Sequence, residues 1–120
     1  MATRGIRGAI QVEANTSTEI ASGVQELIGS ILKSNSISPS DVISVFFTST
    51  ADLTAAFPAA ACREMGFASV PLIGSVEVSV PNALNRTVRA LLLVETELAP
   101  DQISHVYLRG AAALRRDIAQ

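Results

Sequence analysis

The chain has 120 residues, 48% of them hydrophobic, and a net charge of −2. That length suits one compact domain, and the apolar content excludes a disordered segment. The acidic balance speaks against a phosphate-tracking nucleic-acid binder, and no apolar run reaches the ~18–20 residues needed to span a bilayer.

The first residues, MATRGIRG, carry charge with no apolar stretch behind them. No secretory signal is expected, and the cytoplasm is the expected location. A period of two over Arg4–Glu13 (RGIRGAIQVE) predicts a strand, with Ile6, Gly8, Ile10 and Val12 on one face and Gly5, Arg7, Ala9 and Gln11 on the other. Thr16 followed by Glu19 forms a capping box, and Ile20, Val24, Leu27, Ile28, Ile31 and Leu32 recur at helical spacing. Together they predict an amphipathic helix ending near Asn35. Pro39 and Asp41 introduce a second strand, Val42–Thr48, and a loop then runs from Ser49 to Phe57. Pro58 suits the first turn of a short helix that stops at Gly66. A third strand is expected from Val70, with Val76, Val78 and Val80 on one face and Ser75, Glu77 and Ser79 on the other. Pro81 and Asn82 turn the chain into a strongly apolar strand, Thr87–Thr96, and a short one follows at Val106–Leu108.

This order predicts an α+β fold: a mixed five-stranded sheet with one long helix on one face. The other face needs burial, and association with copies of the chain is the cheapest way to provide it. No repeat or linker interrupts the sequence, so a single domain over residues 1–120 is expected, with a mobile tail of about five C-terminal residues.

Cys62 is the only cysteine and His105 the only histidine. An internal disulfide is therefore impossible and a metal cluster implausible. Cys62, in an alanine-rich helical segment, is expected to pack as a small hydrophobe, and His105 to satisfy a structural hydrogen bond. No phosphate loop, dinucleotide fingerprint or nucleophile elbow is present. Neither a cofactor nor a metal is expected. Basic residues are lopsided, one lysine (Lys33) against eight arginines, and the arginine fork suits carboxylates.

Three charges break the hydrophobic pattern. Arg89 lies inside the most apolar strand, on the side of Leu91 and Leu93. Glu77 sits between Val76 and Val78, and Arg7 lies in a glycine-flanked strand. A charge removed from water is costly unless paired. The three form either a structural salt-bridge network or a site for a small anion, with guanidinium groups for carboxylates and a carboxylate for a hydroxyl. Spacing leaves both readings open.

Four blocks, RGIRGAIQVE (4–13), TADLTAAFPAAACRE (50–64), VPLIGSVEV (70–78) and HVYLRGAAALRRD (105–117), resemble the AroH-class chorismate mutases. They span nearly the whole chain in family order. The AFPA segment with Arg63 is loosely compatible with the Rid-type imine deaminases, but the set Arg7, Glu77, Arg89 and Tyr107 is not their pattern. The resemblance implies a pseudo-α/β-barrel homotrimer with three sites at subunit interfaces. The implied reaction is the Claisen rearrangement of chorismate to prephenate in aromatic amino-acid biosynthesis. Arg89 and Glu77 would be the catalytic pair, with Arg7 and Tyr107 from the same subunit. The neighbour would give Phe57 and Arg63, with Ala59 and Ala60 as lining. Ile73 and Gly74 would form part of the wall. Leu114 and Arg115 would belong to a C-terminal segment folding over the mouth. The rearrangement needs no base, nucleophile or metal, which fits the missing apparatus. Two positions depart from the family pattern. Ala60 stands where lysine is frequent and Gly74 where a small polar side chain is frequent, so weaker substrate affinity with turnover kept is expected.

Overall fold

The computed structural model describes residues 1–115; the expected C-terminal tail, residues 116–120, lies outside them. Strands β1 (Ala2–Gln11), β2 (Val42–Ser49), β3 (Leu72–Val76), β4 (Thr87–Thr96) and β5 (Val106–Leu108) form one sheet in the order β3-β2-β4-β1-β5. β4 pairs antiparallel with both β1 and β2, while the two edge strands run parallel to their neighbours. Helix α1 (Ser17–Ser34) lies on one face, and the short α2 (Pro58–Arg63) packs beside it. The α+β expectation of five strands and one long helix holds.

Period-two patterning decides which way the sheet faces. Ile6 and Ile10 of β1, Val45 and Phe47 of β2, and Val88, Leu92 and Val94 of β4 are buried against α1. From the helix come Ile20, Val24, Leu27, Ile28 and Ile31. Each such side chain contributes about 1.5–3 kcal/mol when fully removed from water, so this layer dominates the stability of the protomer. The Thr16 hydroxyl caps α1 by accepting the Glu19 N–H at 3.1 Å. Helix and sheet approach closely where two glycines face each other's element. A Cβ on Gly23 would come within 2.5 Å of Val12 Cγ1, and one on Gly8 within 2.7 Å of Ile31 Cδ1 and 2.9 Å of the Val106 carbonyl.

The end of α1 also positions the far edge of the sheet. Asn35 is buried; its amide donates to the carbonyls of Ile31 and Ser104, both at 2.9 Å, and its oxygen accepts the Ser104 N–H at 2.8 Å. That clamp delivers His105 and β5 alongside β1.

The third strand is shorter than its alternation suggests. β3 ends at Val76, which pairs with Ser49, the last residue of β2. The Glu77 N–H still donates to the Ser49 carbonyl at 2.9 Å, but beyond it no neighbouring strand exists, and the Val80 N–H turns back onto the Val78 carbonyl at 3.0 Å. Val78 and Val80 are exposed. Alternation without a partner edge does not make a strand.

The face away from α1 is apolar and open. Phe46, Leu91 and Leu93 lie there at about two-fifths exposure, and Ile73 of β3, paired with Phe46, continues the exposed apolar surface at the edge. Among the described residues this face is covered at β1 and β5, where Ala9, Tyr107 and Ala111 pack with Leu84 and Leu114.

Candidate active site

The ladder brings the three misplaced charges to one spot on the open face. Thr48 of β2 stands opposite Arg89 of β4, and Ala9 of β1 stands opposite Arg89 on its other side. Tyr107 of β5 follows beside Ala9. Glu77, one residue past β3, swings under this row. Arg89 Nε lies 3.2 Å from Glu77 Oε1. The same oxygen accepts the Thr48 hydroxyl at 3.0 Å, and Oε2 accepts the Val78 N–H at 3.0 Å. Arg7, Gly8, Phe46, Thr48, Glu77, Arg89, Leu91 and Tyr107 thus line a cleft of about 230 Å³.

Of the two readings, pure salt bridging covers only part of this arrangement. Arg89 and Glu77 do pair, but among the described residues no carboxylate lies within ion-pair distance of Arg7. The Arg7 backbone is held by His105, whose Nδ1 accepts the Arg7 N–H at 3.0 Å. The ring continues the β1–β5 ladder one step upstream of the Gly8–Val106 pair. Burial first, then the positive charges of Arg7 and Arg115, hold the His105 pKa below its usual 6.5. His105 is therefore the hydrogen-bonded structural histidine that was expected.

A second, larger cleft of about 760 Å³ opens on the helix side of the β2–β3 edge. Phe57 at the N-cap of α2 and Ala59, Ala60 and Arg63 along it line the cleft together with Ile73 and Gly74 of β3. Phe57 is 81% exposed and Ile73 63%, a large apolar surface for side chains so close to a cavity. Arg63 also has no carboxylate partner among the described residues. The two clefts share no residue: the larger borders the β2–β3 edge on the helix side, and the smaller spans the open face from β2 to β5.

Comparison with known proteins bears on what such a pair of clefts is for. The family model described as chorismate mutase type I matches residues 3–118. Chorismate mutase AroH of Thermus thermophilus is 47% identical over 116 residues, covering 96% of this chain and 95% of that protein. Chorismate mutase AroH of Bacillus subtilis (strain 168) is 39% identical over 120 residues, covering 99% and 94%. Among solved structures, a chorismate mutase from Clostridium thermocellum superimposes with a TM-score of 0.90 at 41% identity, covering 92% of this chain and 98% of that one. The chain belongs to the type I chorismate mutases.

Within this type I chorismate mutase, the residues singled out by resemblance divide cleanly. Arg7, Glu77, Arg89 and Tyr107 meet in the smaller cleft, and Phe57, Ala59, Ala60, Arg63, Ile73 and Gly74 in the larger. Leu114 and Arg115 line neither. Leu114 packs on the Tyr107 cluster and the Arg115 charge reaches His105, so both lie beside the charged cleft. Arg109 anchors this segment through Glu26 of α1 at 2.8 Å. Cys62 is fully buried in α2 and its thiol is pushed up to about 11 by that burial, against a smaller opposing effect of Arg63. It is packing material and no nucleophile. Thr48, Phe46 and Leu91 were not anticipated at the site. Register would have found them: once β2 and β4 are paired, residues facing Arg89 and its strand neighbours are fixed.

Proposed function

We propose that the rearrangement of chorismate to prephenate, the reaction of this family, takes place where the charged cleft of one protomer is closed by the larger cleft of a neighbour. The observation carrying this reading is the division of the expected residues between two half-sites. At about 230 Å³ the charged cleft falls below the ~300–1,000 Å³ of ordinary ligand pockets. It holds the polar groups but lacks a second wall. The exposed Phe57 and Ile73, Arg63 with no carboxylate partner among the described residues, and the uncovered Phe46, Leu91 and Leu93 supply what an apolar, intersubunit lid requires. A homotrimer with three such interfaces gives every half-site a partner, because a heterologous contact that closes into a ring leaves none over. The reacting unit is the single domain of residues 1–120. A cytoplasmic setting suits its buried, reduced Cys62.

Chorismate is a dianion with an enolpyruvyl ether and a ring hydroxyl. In its rearrangement one C–O bond breaks as one C–C bond forms, with no proton transfer. A protein can accelerate this by holding the compact chair-like conformer and by stabilising charge as the C–O bond stretches. Arg89 donates to the ether oxygen, where negative charge grows. Glu77 accepts from the ring hydroxyl and balances positive character on the ring. Arg7 and Tyr107 hold the side-chain carboxylate. From the neighbour, Arg63 adds positive potential at the mouth and Phe57 an apolar wall, with Ala59, Ala60, Ile73 and Gly74 as lining. Leu114 and Arg115 close the opening. A million-fold acceleration needs about 8 kcal/mol. One aimed donor contributes about 3–4 kcal/mol, so Arg89 together with conformer restriction reaches that order.

The test is a spectrophotometric assay of chorismate loss, with prephenate identified by acid conversion to phenylpyruvate. Saturable turnover abolished by Arg89→Ala supports the reading. A folded oligomer with no turnover overturns it and makes the Arg89–Glu77 pair structural.

A further inference from the structure

We propose that Thr48 is a positioning residue for this reaction, acting through Glu77 to keep the Arg89 fork open toward the ligand. The inference rests on the proposed reading of the charged cleft. Thr48 lies on the open face of β2, opposite Arg89 in one ladder and Ser75 in the other, and lines the cleft with both charges. Its hydroxyl donates to Glu77 Oε1 at 3.0 Å, the oxygen that Arg89 approaches with Nε at 3.2 Å.

The geometry matters because a carboxylate and a guanidinium left alone prefer a bidentate pairing through two parallel N–H···O bonds. Such a pair would take both carboxylate oxygens and an η-nitrogen of the arginine. Here Oε1 accepts the Thr48 hydroxyl with Arg89 Nε beside it at ion-pair distance, while the Val78 N–H occupies Oε2. A carboxylate has about four lone-pair sites, so Oε2 retains capacity for one more donor. Arg89 approaches the carboxylate with Nε, and its η-nitrogens make no hydrogen bond to it. Without the Thr48 hydroxyl, Glu77 can rotate into the bidentate pairing and consume the groups that the stretching C–O bond needs.

The experiment compares Thr48→Val, which keeps the shape and removes the hydroxyl, with Thr48→Ala and Thr48→Ser, using chorismate as substrate and wild type and Arg89→Ala in parallel. The hydrogen bond is to a charged group, so kcat in Thr48→Val and Thr48→Ala should fall about tenfold or more. KM should change little, and Thr48→Ser should recover most of the loss. Circular dichroism and the oligomeric state should match wild type in all three. Wild-type kcat in Thr48→Val, or equal losses in the valine and serine variants, would overturn the role of the hydroxyl alone. An inactive wild type would overturn the reading of the cleft and this role with it.

Discussion

Arg89→Lys keeps the positive charge of the cleft and removes only the fork. Arg89 meets Glu77 through Nε at 3.2 Å, which leaves two further nitrogens for a ligand. Lysine offers one nitrogen on a flexible stem, and the Glu77 carboxylate is its nearest partner, so the ammonium pairs there and withdraws from the ether oxygen. Loss of one aimed donor at a developing oxyanion raises the barrier by about 2.7–4 kcal/mol, which is about 10²–10³ in kcat. Arg89 is 46% exposed in the isolated protomer, where solvent would screen such an interaction. On the proposed intersubunit site, the full effect requires a neighbour that covers the cleft and lowers the local dielectric. The assay is single-wavelength chorismate loss under saturating substrate, with circular dichroism as the folding control. A variant that kept more than about a tenth of wild-type kcat would refute the assignment of the ether oxygen to Arg89.

Subunit mixing tests the proposed composite site directly: the Arg89→Ala and Arg63→Glu variants should each be nearly inactive, and co-refolded mixtures should regain about one working site in four if each site takes its two halves from different chains. Additive, unrecovered inactivity would place both arginines in one protomer's site. Ala60→Lys should lower KM about two- to fivefold, the range of an added exposed charge, and steepen its dependence on salt; an unchanged KM and salt slope would count against the larger cleft facing a dianion. His105 is held neutral in the folded protein, so its contribution to stability is present above the usual pKa of 6.5 and is lost as pH falls through the lower folded value. Protonation removes the Nδ1 acceptor of the Arg7 N–H. KM should therefore rise on acidification in step with the NMR titration of this single histidine, while His105→Ala should show a raised KM that no longer follows that titration.

The sheet's two-sidedness was legible because a strand with one buried face must alternate. Arg89 therefore stands out as a charge on the Leu91 and Leu93 stripe and Arg7 as one in a glycine-flanked strand, and the strand pairing places both on the open face. The helix was equally clear, from the Thr16 cap to Asn35. Two things could not be read from a single strand. The Val78–Val80 alternation looks like a ladder in sequence, and only the end of β2 at Ser49 shows that it has nothing to pair with. Thr48 is an ordinary strand residue until β2 is set against β4, when it falls opposite Arg89. Likewise, the resemblance named Phe57 and Arg89 as members of one site. Their placement in separate clefts, on opposite sides of the sheet, follows from the fold.

The edge strand has an evolutionary consequence. Leu72–Val76 walls the larger cleft, and the very next residue, Glu77, enters the charged one. In a ring of identical chains each copy of this six-residue stretch would serve two sites at once, one with its strand and one with its carboxylate. An inserted or deleted residue there would spoil both together, and no compensating change in a single pocket could restore them. Such a stretch would tolerate a changed side chain more readily than a changed length.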